Sequence, residues 1–146
     1  MKQGGLLGVF LAVVVSIAGS AVEQNDAGKI TSPQGADSAL VGDWRGESFC
    51  VVRESACRDE ESLYHFSQIP DKPGRYSLKA DKIVESKPVT MGTSECTYDR
   101  AQHIIECAIS AGTTLHFTIN SNTLQGTMTI QSNKLWRRIT LKKVGA

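Results

Sequence analysis

The chain has 146 residues, with 16 lysines and arginines against 15 aspartates and glutamates. That balance argues against a nucleic-acid partner, which calls for a basic stripe, and it gives no electrostatic reason to adhere to anionic lipid. Aromatic residues make up only 6% of the chain, which disfavours a carbohydrate-binding surface.

Lys2, the apolar run from Leu6 to Ala18 and the small residues Gly19, Ser20 and Ala21 read as a signal peptide over residues 1–21, cleaved after Ser20 or Ala21. The run is short for a membrane span, which needs roughly 20 apolar residues; an uncleaved anchor is the alternative. No cysteine follows the run, so no lipoprotein anchor is expected. The expected location is periplasmic or extracellular. Residues 22–39 are rich in Gly, Ser, Asn, Gln and Asp, include Pro33 and lack apolar periodicity, which predicts a flexible tail. Residues 40–146 form one domain, and at about 100 residues it can hold one modest core.

Period two governs that domain. Residues 43–52 predict a first strand with Trp44, Gly46, Ser48 and Cys50 on one side. Cys57 follows, then the acidic run Asp59-Glu60-Glu61, then a strand over 62–69. Pro70-Asp71-Lys72-Pro73-Gly74 is a strong turn signal, and 75–84 is the third strand. Residues 89–98 and 103–109 predict a hairpin carrying Cys96 and Cys107. In 113–120, Leu115, Phe117 and Ile119 share a face opposite His116 and Thr118. In 123–131, Leu124, Gly126, Met128 and Ile130 oppose Thr123, Gln125, Thr127 and Thr129. The last strand, 135–143, sets Leu135, Arg137, Ile139 and Leu141 against Trp136, Arg138, Thr140 and Lys142.

An even count of cysteines in an exported chain favours disulfides over zinc. Of the three connectivities, Cys50–Cys57 and Cys96–Cys107 are preferred, because each pair brackets a turn-like stretch between strand-like runs. Closing such short loops stabilises by about 2–3 kcal/mol each in the chain-entropy model. A long-range pairing is the alternative. Eight sequential strands with short connections predict an all-β fold, a single eight-stranded antiparallel meander barrel whose closure removes exposed edges. A β-sandwich is the alternative.

Gly42-Asp43-Trp44-Arg45-Gly46 opens the first strand and Arg137-Arg138 lies in the last. In a meander barrel these strands are neighbours, so an arginine is expected to lie across the Trp44 indole and close one end, a contact worth about 0.5–2 kcal/mol. Its place on the apolar face selects Arg137. Gly42, Trp44 and Arg137 together resemble the calycin superfamily of lipocalins, fatty-acid-binding proteins and avidins. The resemblance covers the two ends of the domain. The middle lipocalin motif, Thr-Asp-Tyr, is absent, since Thr97-Tyr98-Asp99 has another order. What the resemblance implies is a barrel, not a shared ligand. A longer stretch, Ser48-Phe49-Cys50-Val51-Val52-Arg53 through Ser55-Ala56-Cys57-Arg58-Asp59-Glu60 and Tyr64, looks like an uncharacterised group of small exported bacterial proteins. That group also ends much as Gly126-Thr127 and Arg137-Arg138-Ile139 do here.

Chemistry-bearing motifs are scarce. There is no Gly-x-Ser-x-Gly elbow and no phosphate-cradling glycine loop. His65, His103 and His116 come from separate strands, and ordinary surface or rim roles are expected for all three. Asp59, Glu60 and Glu61 are expected to be solvated, cancelling Arg53 and Arg58. Trp136 is expected on the outside. No enzyme activity, metal or cofactor is expected.

Two functions fit. The first is binding of a small apolar ligand in or at the mouth of the barrel, by Ser48, Leu78, Leu115, Phe117, Met128 and Ile139, with Gly46, Gly126 and Ala108 leaving room. The second is inhibition of an envelope protease or lysozyme through the tail or the stapled loops; the Gly-x-Trp start also occurs in bacterial metalloprotease inhibitors of about this length.

Overall fold

The computed structural model describes residues 39–52, 54–131 and 133–146. The expected signal peptide, the tail before Ala39, and Arg53 lie outside the described residues. Eight strands follow in order: β1 Gly42–Cys50, β2 Glu60–Gln68, β3 Arg75–Val84, β4 Lys87–Asp99, β5 Ile104–Ser110, β6 Thr113–Asn120, β7 Thr123–Ile130 and β8 Lys134–Lys143. Each pairs antiparallel with the next, and β8 returns to β1, so the sheet closes into a barrel. The meander barrel predicted from alternation is the fold observed, and a sandwich is excluded.

Tight turns set the register. Glu85 and Ser86 both adopt left-handed φ, 49° and 65°, as a two-residue type I′ hairpin requires. Between β5 and β6 the turn is Ala111-Gly112, with Gly112 at φ 78°. Pro70–Gly74 turns with Asp71 and Gly74 in the left-handed region.

Alternation then decides the core. Trp44, Tyr64, Phe66, Tyr76, Leu78, Ile105, Leu115, Phe117, Leu124, Ile139 and Leu141 are all buried inside. Phe117 meets Tyr64 edge-on with centroids 6.1 Å apart and Phe66 at 6.5 Å. Such aromatic pairs add about 0.5–1.5 kcal/mol beyond the area they bury. Gly126 pairs with Phe117 in register, and a Cβ there would strike the Phe117 ring. Gly46 plays a different part, since a Cβ on it would meet the Thr140 carbonyl across the β1–β8 seam. Both glycines let bulkier groups approach where curvature brings the strands together.

Both expected disulfides are present. Cys96 and Cys107 are directly opposite one another on β4 and β5, with Cα atoms 4.1 Å apart and both residues buried in the core. Cys50–Cys57 ties the end of β1 to the connection before β2, with Cα atoms 5.9 Å apart. Two disulfides are the chemistry of an oxidising compartment.

Two expectations about the interior are corrected. Ala108 is exposed, because its neighbour Cys107 takes the inward place in the alternation. Arg137 does not cover Trp44. The register sets Trp44 opposite Lys143 and Cys50 opposite Arg137. Since β8 runs against β1, a tryptophan near the start of one strand meets the end of the other, and Arg137 stands at the opposite end of the seam.

Candidate functional site

Antiparallel order decides which residues share a rim. The end of β1, the start of β2, the end of β3 and the start of β4 lie together at one end, as do the end of β5 and the start of β8. At the other end, where β1 begins and β8 finishes, Leu40 and Trp44 plug the interior beside an open surface groove lined by Ala39, Tyr98, Ile119 and Asn120. There the Trp44 Nε1–H donates to the Leu40 carbonyl at 2.8 Å, and both residues are fully buried. Lys143 Nζ lies 5.4 Å from the centroid of the indole and donates to the Ala39 carbonyl at 2.8 Å. Gly42 adopts φ +124°, a backbone conformation other residues rarely take, beside the Lys143 chain. Gly42 and Trp44 therefore sit at the plugged end as the sequence suggests, with Lys143 as the cation.

At the opposite end the barrel holds a cavity of about 260 Å3. Its apolar wall comes from Tyr64, Ala80, Met91, Ile109, Leu115 and Met128. Its polar wall comes from Glu60, Thr93, Ser94 and Arg137. Three β-bulges surround it. One shifts the β3–β4 register at Ala80/Asp81 and leaves Met91 unpaired. A second lies at Ala108/Ser110 and leaves Ile109 unpaired. The third lies at Met128/Thr129, opposite Trp136. A bulge bends the strand and re-aims side chains; here the unpaired Met91 turns to the cavity, which Ile109 also lines. β4 also outruns β5, which pairs with it only over Glu95–Asp99. The flank Met91–Ser94 thus lines the cavity beside an unpaired strand edge.

Within the polar wall, Arg137 and Glu60 belong to one hydrogen-bonded unit. Arg137 Nη1 donates to the Ser48 hydroxyl at 3.1 Å and to the Ser48 carbonyl at 3.3 Å. Its Nη2 donates to the Arg58 carbonyl at 3.0 Å and to Glu60 at 3.3 Å. The side chains of Arg137 and Glu60 are only 12% and 19% exposed, so each largely neutralises the other in partial shelter from water. Tyr64 projects from the strand that carries Glu60, on the same face. Burial, helped by the Glu60 carboxylate, pushes its phenol up to about 12. Ser62 lies between them in sequence and shares their face. It is fully buried and stands near enough to the phenol to temper that shift, yet its Oγ reaches no partner in hydrogen-bond geometry. An unsatisfied buried hydroxyl costs about 1–3 kcal/mol.

Of the residues expected to bind ligand, Leu115 and Met128 line the cavity. Ser48 reaches it through Arg137. Leu78, Phe117 and Ile139 are buried in the packed core and do not line it. Glu60 departs from the expectation for the acidic run: β2 begins at Glu60, so the alternation that carries Tyr64 and Ser62 inward carries Glu60 with them. Asp59 accepts the Cys50 amide at 2.7 Å, and Glu61 pairs with Arg45 outside. Extending the period-two pattern two residues upstream would have found Glu60. Met91 carries no such signal, because a bulge breaks the alternation there; Ile109 continues the inward parity of Ile105 and Cys107.

The three histidines stay apart. His116 faces Glu106 at 3.3 Å on the outer surface, and His103 sits in a turn at φ 59°. His65 bridges two carboxylates on the outer face, with Nδ1 2.7 Å from Asp43 and Nε2 3.1 Å from Asp81. Lys79 also reaches Asp81, at 3.0 Å. Among the described residues, no group of three or more His, Cys, Asp or Glu side chains is arranged to hold a metal ion. Trp136 is half-buried rather than presented to solvent. Compared with known proteins, the chain matches no family model, and no curated protein matches it.

Proposed function

We propose that this protein is an exported, non-enzymatic barrel that binds a small, largely apolar molecule in the cavity at its open end. The observation that carries the reading is the asymmetry of the two ends. In one, Leu40, Trp44 and Lys143 plug the interior, and in the other three bulges surround an apolar hollow. At about 260 Å3 the hollow falls just below the roughly 300–1,000 Å3 typical of small-molecule sites, which suits a compact ligand. A calycin-like barrel of this size fills its interior or holds one small ligand, and here the filled part and the hollow part are separate. The experiment is native mass spectrometry of gently purified protein, before and after addition of a neutral medium-chain alcohol. A one-to-one adduct that disappears in Met128→Trp supports the reading; no adduct at any concentration removes it.

A second reading, inhibition of an envelope hydrolase, rests on the stapled connection between β1 and β2. Phe49 and Val51 beside it are 48% and 40% exposed, and a loop held by Cys50–Cys57 binds with little ordering cost. Inhibition of a protease or lysozyme that Phe49→Asp abolishes would favour it; no inhibition across such a panel would dismiss it.

A further inference from the structure

We infer that the ligand of the cavity is an electrically neutral amphiphile, a chain of about eight carbons ending in a hydroxyl group. This rests on the binding reading above and adds the identity of the head group.

The argument begins with charge. The charged groups of the cavity wall are Arg137 and Glu60, paired at 3.3 Å. A carboxylate head would enter beside Glu60 and compete for an arginine already engaged. Both terminal nitrogens of Arg137 are occupied by Ser48, Arg58 and Glu60, so an anion could gain donors only by displacing them. An ammonium head would in turn stand next to the guanidinium. Breaking a sheltered ion pair leaves one charge uncompensated, and either ionic head would bring that about.

The hydrogen-bonding capacity that remains is of another kind. Glu60 accepts from Arg137 and keeps lone pairs for one further donor. Tyr64 holds its phenolic proton well beyond neutral pH and can donate it. Ser62, buried on the same face between these two residues, lies behind the cavity lining and is not a partner for the head group. One hydroxyl can donate to the carboxylate and accept from a neighbouring hydroxyl at once, which a hydrocarbon cannot do. Size sets the chain: about 260 Å3 holds roughly nine water-sized groups at about 30 Å3 each. The apolar wall of Met91, Leu115, Ile109 and Met128 takes the chain.

Isothermal titration at pH 7 with octan-1-ol, octanoate and octylammonium tests this on the whole protein. Octan-1-ol is expected to bind at least tenfold more tightly than either ion. Glu60→Gln, which leaves Arg137 uncompensated, is expected to raise octanoate affinity more than tenfold, by more than the wild-type gap, and so reverse its order with the alcohol. Tighter binding of octanoate or octylammonium to the wild-type protein overturns the neutral-head inference and leaves the cavity reading standing. An unchanged order in Glu60→Gln that still folds also overturns it. Failure of all three compounds to bind overturns both.

Discussion

Lys143 reaches across the plugged end of the barrel and holds its ammonium 5.4 Å from the centroid of the Trp44 ring. The same indole is fixed from the other side by its hydrogen bond to the Leu40 carbonyl. The plug therefore combines packing, one buried hydrogen bond and a cation over an aromatic face. Desolvation lowers the Lys143 pKa, so the ammonium is less stable there than in water.

These parts can be separated by substitution. Trp44→Phe keeps an aromatic ring but leaves the Leu40 carbonyl without its donor, and it is expected to cost about 1–3 kcal/mol. Trp44→Ala adds a cavity and is expected to cost about 3–5 kcal/mol. Lys143→Ala should cost no more than about 1 kcal/mol. Urea denaturation followed by circular dichroism gives the order; a Lys143→Ala loss equal to that of Trp44→Ala would contradict it.

The two disulfides differ in what surrounds them. Both close short loops, and the loop term alone is worth about 2–3 kcal/mol for each. Cys96–Cys107 is buried in the core, whereas Cys50–Cys57 lies at the end of β1 among partly exposed residues. Replacing Cys96 and Cys107 together by alanine is expected to destabilise more than replacing Cys50 and Cys57, because packing is lost as well as the cross-link. Equal losses in urea would show that the buried bridge contributes nothing beyond loop closure.

Tyr64 supplies an alkaline signature. Its folded pKa is raised from the usual 10.0 to about 12 by burial first and by Glu60 second. The folded state thus keeps a proton that the unfolded state has released. Its contribution is fully present below pH 10 and is lost as the pH climbs toward 12, by about 1.4 kcal/mol per pH unit within that window. Phenolate absorbance against pH should show a late-titrating step whose amplitude falls by one tyrosine in Tyr64→Phe. Late absorbance that Tyr64→Phe leaves unchanged would contradict the assignment.

Asp81 supplies the acid counterpart. It is 2% exposed but lies on the outer face, covered by a thin layer of side chains and not sunk in the core. Burial raises its pKa, and hydrogen bonds from Thr90, Lys79 and His65 outweigh that, so the net shift is downward. A depressed carboxylate contributes stability above its unfolded pKa, about 3.9, and loses it as pH falls through the lower folded value. Asp81→Asn is expected to be less stable at neutral pH and to lose less on acidification. Acid titration of the thermal midpoint checks both; parallel curves for the two proteins would refute the assignment.

Much of this was legible in the sequence where alternation is unbroken. Leu115, Phe117 and Ile139 read as inward and are inward, and the local cysteine pairs were found by the same logic. The closing cation was not legible. Gly42 and Trp44 mark one end of the seam, but which residue of β8 lies opposite depends on register, and the register sets Lys143 there. The cavity was the least legible part. Met91 lines it because a bulge displaces it, and a bulge leaves no periodic trace; Ile109 keeps the inward parity of Ile105 and Cys107. Asp81 gave no signal either: it lies at the β3–β4 register shift and is buried on the outer face.

The most direct test uses two of the chain's three methionines, Met91 and Met128, which stand on the cavity wall. With carbon-13 in the methionine methyl groups, NMR spectra are recorded while octan-1-ol is added. The account predicts that the Met91 and Met128 resonances shift together along one saturable curve with one-to-one stoichiometry, and that Leu115→Trp, which fills the hollow, abolishes the shift. Resonances that stay fixed, or that drift linearly without saturating in both proteins, would contradict it.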